Sequence, residues 1–133
     1  LGAPAAAGAP ARPVALEVVG AGRARGDAAA LGRVVRNLVD NAIGHAAGSV
    51  RVEVADGLVA VVDDGPGVAA PDRERAFARF VRLDSARARA RPGGGSGLGL
   101  AIAREVAREH GGDVVLADRP DGAPGLRAEL RLP

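Results

Sequence analysis

The feature that most constrains the fold is the segment 31–45, in which apolar residues recur at spacings of three and four. This periodicity predicts an amphipathic helix with one buried face. The residues expected on that face are Leu31, Val34, Val35, Leu38, Ala42 and Ile43. Asn37 and Asn41 are four residues apart and share a second face. Because asparagine is a poor helix former, these two side chains either face water or reach a ligand such as Mg²⁺, which prefers oxygen donors.

The other segments predict one domain that combines helices and strands. The chain has 133 residues, which is enough to bury a core, and it starts with Leu, so we expect a fragment of a longer protein. Residues 1–13 are small residues and proline, which are typical of a linker or extended arm. Asp27 is the expected N-cap of the helix, and a second helix is expected to end at His110. Strands are expected at 14–19, 49–55, 58–62, 114–117 and 126–132.

Composition excludes several classes of function. The absence of cysteine rules out disulfides, thiol chemistry and cysteine-ligated metals. No apolar run approaches the ~20 residues of a membrane span, and no signal peptide pattern is present. The pI of about 10.8 overstates a formal charge of +2, because the chain has no Lys, Tyr or Cys to titrate between His and Arg. Since Phe77 and Phe80 are the only aromatic residues, nucleic-acid binding is not expected.

Two loops carry candidate chemistry. Asp63 and Asp64 end a nearly all-apolar strand and precede a Gly-Pro-Gly turn, where buried carboxylates are costly unless they meet a donor. The glycine-rich stretch 92–100 directly precedes the second helix, so bare backbone and first-turn amides form a potential anion site. It is not a Walker loop, because the chain has no lysine. It is not a dinucleotide fingerprint either, because Leu100 stands where glycine is needed and no strand precedes it.

Four motifs in chain order resemble the conserved boxes of sensor histidine kinases. NLVDNA at 37–42 resembles the N box, and DDGPG at 63–67 resembles the D-x-G-x-G box. RAFARFVR at 75–82 is similar to the F box, and GGSGLGLAIA at 94–103 to the second glycine box. The resemblance covers about residue 14 to the end of the chain.

This resemblance implies the GHKL (Bergerat) ATP-binding fold, an α/β (α+β) two-layer sandwich with a mixed β-sheet and helices packed on one face. Residues 14–133 would form the catalytic domain, with an ATP lid at about 68–94. The domain would transfer the γ-phosphoryl group of Mg·ATP to a histidine on a separate dimerisation domain, with a response regulator downstream. The fragment is expected to be a monomer from a homodimeric kinase. Its expected location is cytoplasmic, within a parent protein that is a candidate for membrane anchoring.

The resemblance also implies roles for individual residues. Asn41 would hold Mg²⁺ with Asn37 assisting, and these two are the catalytic candidates. Asp63 would accept a hydrogen bond from the adenine amino group, while Gly65 and Gly67 would let the backbone lie close to the purine. The residues expected near the phosphates are Gly95, Ser96, Gly97, Leu98 and Gly99 in the glycine box and Arg79 and Arg82 in the lid. Phe77 and Phe80 would hold the lid in place.

Two positions distinguish this sequence within the family. One departs from the usual pattern, and the other favours the kinase branch over the ATPase branch. The cation usual three residues after Asn41 is replaced by Gly44. Asn37 stands where the ATPase branch carries a glutamate base, which favours a kinase because an amide cannot take a proton. Neither His45 nor His110 is followed by an acidic residue, so autophosphorylation is not expected without the phosphoacceptor domain. The alternatives are a nucleotide-gated binding module (a degenerate kinase) and an anti-sigma-type serine kinase of the same fold.

Overall fold

The computed structural model of the chain describes residues 13–78 and 99–133. Within these ranges, five strands form one mixed sheet in the order β1-β2-β3-β5-β4. The strands are β1 (Ala15–Gly20), β2 (Ser49–Ala55), β3 (Leu58–Asp63), β4 (Asp113–Asp118) and β5 (Leu126–Arg131). β1 runs parallel to β2, and all other neighbouring strands are antiparallel. The predicted strands are therefore confirmed, with ends that differ by at most one residue.

Two long helices, α1 (Ala28–His45) and α3 (Gly99–Glu109), pack against each other on one face of the sheet. Between β3 and α3, the described residues include a 3₁₀ turn (Ala70–Asp72) and the single-turn helix α2 (Arg73–Ala76). The predicted two-layer sandwich is confirmed. No helix in the described part of the chain is long and apolar enough to cross a membrane.

Helix α1 follows its sequence prediction closely. The side chain of Asp27 accepts a hydrogen bond from the backbone N–H of Ala29, as expected of an N-cap. Val34, Leu38 and Ala42 are buried against the sheet, but the prediction that Ile43 is buried is wrong, because its side chain is 37% exposed. Ile43 lies about 140° around the helix axis from Leu38. It therefore falls outside the stripe that contacts the sheet.

The opposite face of the sheet carries charged side chains that pair with one another. Arg127 on β5 reaches across β3 to Glu53 on β2, with 2.7 Å between Nη1 and Oε1, and it also contacts Glu129. Ala60 on β3 lies between Glu53 and Glu129 in the register and is fully buried. The described residues form three further pairs on this face: Arg131–Glu129, Arg51–Glu17 and Arg51–Glu53. We call this surface the charged face.

The predicted linker at 1–13, apart from Pro13, lies outside the described residues, as does most of the predicted lid at 68–94. Those assignments stay predictions.

Candidate nucleotide-binding site

Asp63 ends β3 as a buried carboxylate with only 3% of its surface exposed. Its Oδ1 accepts a hydrogen bond of 2.8 Å from the backbone N–H of Gly65. Burial raises the pKa of the Asp63 carboxyl above its ordinary value, while the backbone amides of Gly65 and Leu126 act in the opposite direction. An ionised carboxylate offers about four acceptor positions. Asp63 therefore retains capacity for an external donor such as an amino group.

Asp64, the next residue, points into a different environment. Its Oδ1 accepts hydrogen bonds from the backbone amides of Ala47, Gly48 and Ser49, at 2.8, 2.9 and 3.1 Å. These amides lower the pKa of the Asp64 carboxyl below its ordinary value, and the amide of Gly48 has the largest effect. Asp64 thus holds the turn that joins α1 to β2. Of the two aspartates in the DDGPG motif, Asp64 therefore has a structural role, whereas the ligand role predicted for Asp63 stays a prediction.

The glycines of this motif fit a crowded backbone. A Cβ at Gly65 would lie 2.2 Å from the carbonyl oxygen of His45, so the loop after β3 packs directly on the end of α1. Gly67 has a φ of +78°, and a Cβ there would lie 2.8 Å from the carbonyl oxygen of Gly125. Close backbone packing is therefore sufficient to explain both glycines. Their predicted role beside a purine stays a prediction.

The two asparagines lie on the flank of α1 that faces α3. The Nδ2 group of Asn37 donates to the carbonyl oxygen of Gly99 at 3.4 Å, which ties α1 to the first residue of α3. Asn41 is one turn further along the same flank and is half-buried. Beyond it, the loop after β3 packs against the carbonyl of His45. The asparagine flank thus runs from the start of α3 to the loop that follows Asp63.

This flank suits a Mg²⁺ ion that is held largely by phosphate and water. The described residues contain no group of three or more His, Cys, Asp or Glu side chains that could hold a metal. Mg²⁺ at phosphate sites commonly takes only one or two protein ligands and keeps several waters. The amide oxygen of Asn41 is a hard, neutral donor of that kind. The donor set is therefore compatible with the ion.

Phe77 is the one F-box aromatic among the described residues. Its ring is buried, and the guanidinium carbon of Arg104 lies 4.1 Å from the ring centroid. Arg104 also pairs with Glu74 at 3.0 Å and with Asp113 at 3.1 Å, so α2 is held against α3. The predicted site residues outside the described part of the chain are Arg79, Arg82, Gly95, Ser96, Gly97 and Leu98, together with Phe80.

Sequence reasoning missed several residues around Asp63. Arg119 donates to the carbonyl oxygen of Asp63 at 3.3 Å, from a point 56 residues along the chain. Gly125 leaves room for that same carbonyl, because a Cβ at Gly125 would lie only 1.9 Å from it. No local pattern identifies either residue, because both belong to a stretch that simply predicts a turn. The structural role of Asp64 could have been suspected only from the cost of a second carboxylate at the end of a buried strand.

The chain matches a known protein family and several curated relatives. The family described as "Histidine kinase-, DNA gyrase B-, and HSP90-like ATPase" matches residues 26–133. The sensor histidine kinase GtrS of Pseudomonas aeruginosa is 44% identical over 108 residues, which cover 78% of this chain and 21% of that protein. The chain spans 21–24% of the length of the first curated relatives that it matches.

Two solved structures are similar in fold and sequence. The mycobacterial sensor histidine kinase MprB matches with a TM-score of 0.69 and 36% identity, over 90% of this chain and 83% of that chain. The crystal structure of full-length ShkA in complex with AMPPNP matches with a TM-score of 0.65 and 29% identity, over 86% of this chain and 24% of that chain. The AMPPNP in the ShkA structure is an ATP analogue.

Proposed function

Because the chain belongs to the family of histidine kinase-, DNA gyrase B- and HSP90-like ATPases, and its relatives are sensor histidine kinases, we propose that it binds Mg·ATP and passes the γ-phosphoryl group to a histidine. That histidine would lie on a separate dimerisation domain, in a two-component pathway with a response regulator downstream. The parent kinase would be a homodimer, with this domain in the cytoplasm.

The observation that carries the proposal is the burial and hydrogen bonding of the Asp63 carboxylate. A carboxylate that is 3% exposed and held by the Gly65 amide has a fixed direction and spare acceptor capacity. The exocyclic amino group of adenine is a donor that matches this acceptor. A charge-assisted hydrogen bond in a buried setting is stronger than a neutral one. Asp63 is therefore well suited to distinguish adenine from bases that lack the amino group.

Phosphoryl transfer depends mainly on positioning and electrostatic stabilisation rather than on covalent chemistry by the protein. Asn41 would contribute an oxygen to Mg²⁺, and the ion when bound would neutralise phosphate charge. Asn37 fixes the start of α3 through its hydrogen bond to Gly99, which places that helix N-terminus beside the asparagine flank. The first-turn amides of α3 would face the phosphates.

His110 does not resemble a phosphoryl acceptor. His110 is already engaged at both ring nitrogens: Nδ1 lies 2.8 Å from the carbonyl oxygen of Val106, and Nε2 accepts from the backbone N–H of Asp27 at 3.2 Å. It joins the end of α3 to the start of α1. A partner domain that supplies the acceptor is therefore part of the proposal.

The proposal is tested by calorimetry of Mg·ATP binding to the wild type and to Asp63→Asn. We expect Asp63→Asn to lose most of the affinity, because an amide is a weaker acceptor and presents a competing donor to the amino group. Asp40→Asn is the matched control, since Asp40 is exposed on α1. Equal affinity of the wild type and Asp63→Asn would refute the assignment of Asp63 to adenine.

Gly44 favours one second candidate, a nucleotide-gated binding module without transfer activity. Gly44 follows Asn37 by seven residues and so shares its flank, but it brings no cation there. Adding the kinase's own phosphoacceptor domain and labelled ATP separates the two functions. Labelled histidine supports the kinase, whereas nucleotide binding without label supports the binding module.

A further inference from the structure

Arg119 lies in the loop between β4 and β5 and contacts the backbone of Asp63. Its Nη1 group donates to the Asp63 carbonyl oxygen at 3.3 Å. On its other side, Nε and Nη2 donate to the two carboxylate oxygens of Asp121, at 3.1 and 2.6 Å. The side chain of Arg119 is only 20% exposed. The guanidinium group is thus fixed between its own loop and the end of β3.

The packing around this contact is tight. A Cβ at Gly125 would lie 1.9 Å from the Asp63 carbonyl oxygen and 2.9 Å from Cδ of Arg119, so the arginine stem crosses the backbone where only glycine fits. The loop is held from within, because Asp121 also accepts from the backbone N–H of Ala123 at 3.0 Å. The position of the guanidinium group therefore depends on several contacts.

The charges that face Asp63 come from two elements. Burial raises the pKa of the Asp63 carboxyl most strongly, and the charge of Asp64 raises it further, whereas the charge of Arg119 lowers it. Arginine stays protonated at all relevant pH values. Asp121 sits in a half-exposed ion pair with Arg119, and such pairs contribute little to folding stability. The ion pair alone therefore does not account for the arrangement, in which Nη1 also donates to the Asp63 carbonyl oxygen.

We infer that Arg119 is a positioning residue for adenine recognition: through its hydrogen bond to the Asp63 carbonyl oxygen it fixes the end of β3, from which the Asp63 carboxylate projects. This inference rests on the proposed function, in which Asp63 accepts from the adenine amino group. Arg119 itself need not touch the nucleotide.

The test uses Arg119→Gln, which removes the charge, and Arg119→Lys, which retains it. Arg131→Gln is the matched control, because Arg131 pairs with Glu129 on the charged face, away from Asp63. The Asp63 carboxyl is titrated by NMR in the nucleotide-free chain. Calorimetry then gives the affinity for Mg·ATP and for Mg·ITP, whose base lacks the amino group, from acidic to neutral pH.

We expect Arg119→Gln to raise the pKa of Asp63 and to weaken Mg·ATP binding about two- to fivefold at neutral pH, as for one partly exposed charge contact. The loss should grow towards acidic pH, because more of the Asp63 carboxyl is then protonated. The preference for ATP over ITP should narrow in Arg119→Gln. Arg119→Lys keeps the charge but not the planar fork, so it should restore the titration of Asp63 and only part of the preference for ATP. A loss of fold alone would weaken the two nucleotides equally.

Two failures can be told apart. A wild type that does not bind Mg·ATP, or that binds it independently of Asp63, refutes the proposed function. An Arg119→Gln variant whose Asp63 titration and ATP preference match those of Arg131→Gln refutes the role of Arg119.

Discussion

Substitutions at the two adjacent aspartates should have different effects: those at Asp64 should lower folding stability, and those at Asp63 should lower nucleotide affinity. The effect of Asp64→Ala can be worked out from the structure. The substitution removes the acceptor of three backbone amides, those of Ala47, Gly48 and Ser49. A hydrogen bond to a charged group contributes about 1.5–3 kcal/mol. Because the three bonds share one oxygen and water can reach part of the turn, we expect a total loss of about 2–4 kcal/mol. Asp64→Asn keeps an acceptor oxygen and should lose about 1 kcal/mol.

The pH dependence of folding stability tests the same hydrogen bonds of Asp64 independently. The amides lower the pKa of Asp64 from its ordinary value of 3.8, so its stabilisation is complete above that value. The stabilisation is lost as pH falls through the lower pKa of the folded state. The difference in stability between wild type and Asp64→Asn should therefore close in strong acid.

Thermal and denaturant unfolding measure these losses directly. For a chain of this size, about 2–4 kcal/mol corresponds to a fall in Tm of about 8–16 °C for Asp64→Ala. Asp40→Asn should melt with the wild type. Below its Tm, Asp64→Ala should still bind Mg·ATP, whereas Asp63→Asn should fold but lose most of its affinity for Mg·ATP. The reasoning is refuted if Asp64→Ala has the same Tm as the wild type, or if it folds normally but no longer binds Mg·ATP.

Two further outcomes are expected. Gly44→Ala should raise Tm, because glycine in a helix costs roughly 1 kcal/mol against alanine. Gly44→Lys should in addition tighten Mg·ATP binding in a salt-sensitive way, and equal affinities of the Lys and Ala variants in calorimetry would place Gly44 away from the phosphates. The chain alone should not phosphorylate itself, and acid-labile label on His45 or His110 after incubation with γ-labelled ATP would contradict this.

Much of the fold could be predicted from local pattern. The three- and four-residue spacing of Val34, Leu38 and Ala42, with Asp27 before them, was enough to define α1. Periodicity does not say how far the apolar stripe extends around the helix, and so Ile43 was misplaced. The pairing of β1 with β2 in parallel depends on contacts between distant segments, which local pattern does not encode.

The site was only partly predictable, for a similar reason. Asp63 stood out as a carboxylate at the end of a buried strand, but the same argument applied equally to Asp64. What separates them is the position of three amides about sixteen residues earlier in the chain, which only the fold brings close. The contact of Arg119 with Asp63 likewise joins residues that are 56 positions apart.

The charged face has a consequence for how the molecule exchanges protons with its surroundings. Glu129 and Glu53 raise the pKa of Arg127. Burial on its own would raise the pKa of Glu129, but the hydrogen bonds from Arg127 and Arg131 lower it overall. The pKa values of Arg127 and Glu129 therefore both shift further from neutral pH. The chain has no Lys, Tyr or Cys and only two histidines. Mild acidification therefore leaves the Arg127–Glu129 pair charged. Among the carboxyls of residues 13–78 and 99–133 whose pKa is shifted, only that of Asp63 has a raised pKa, and it lies at the edge proposed to hold the base.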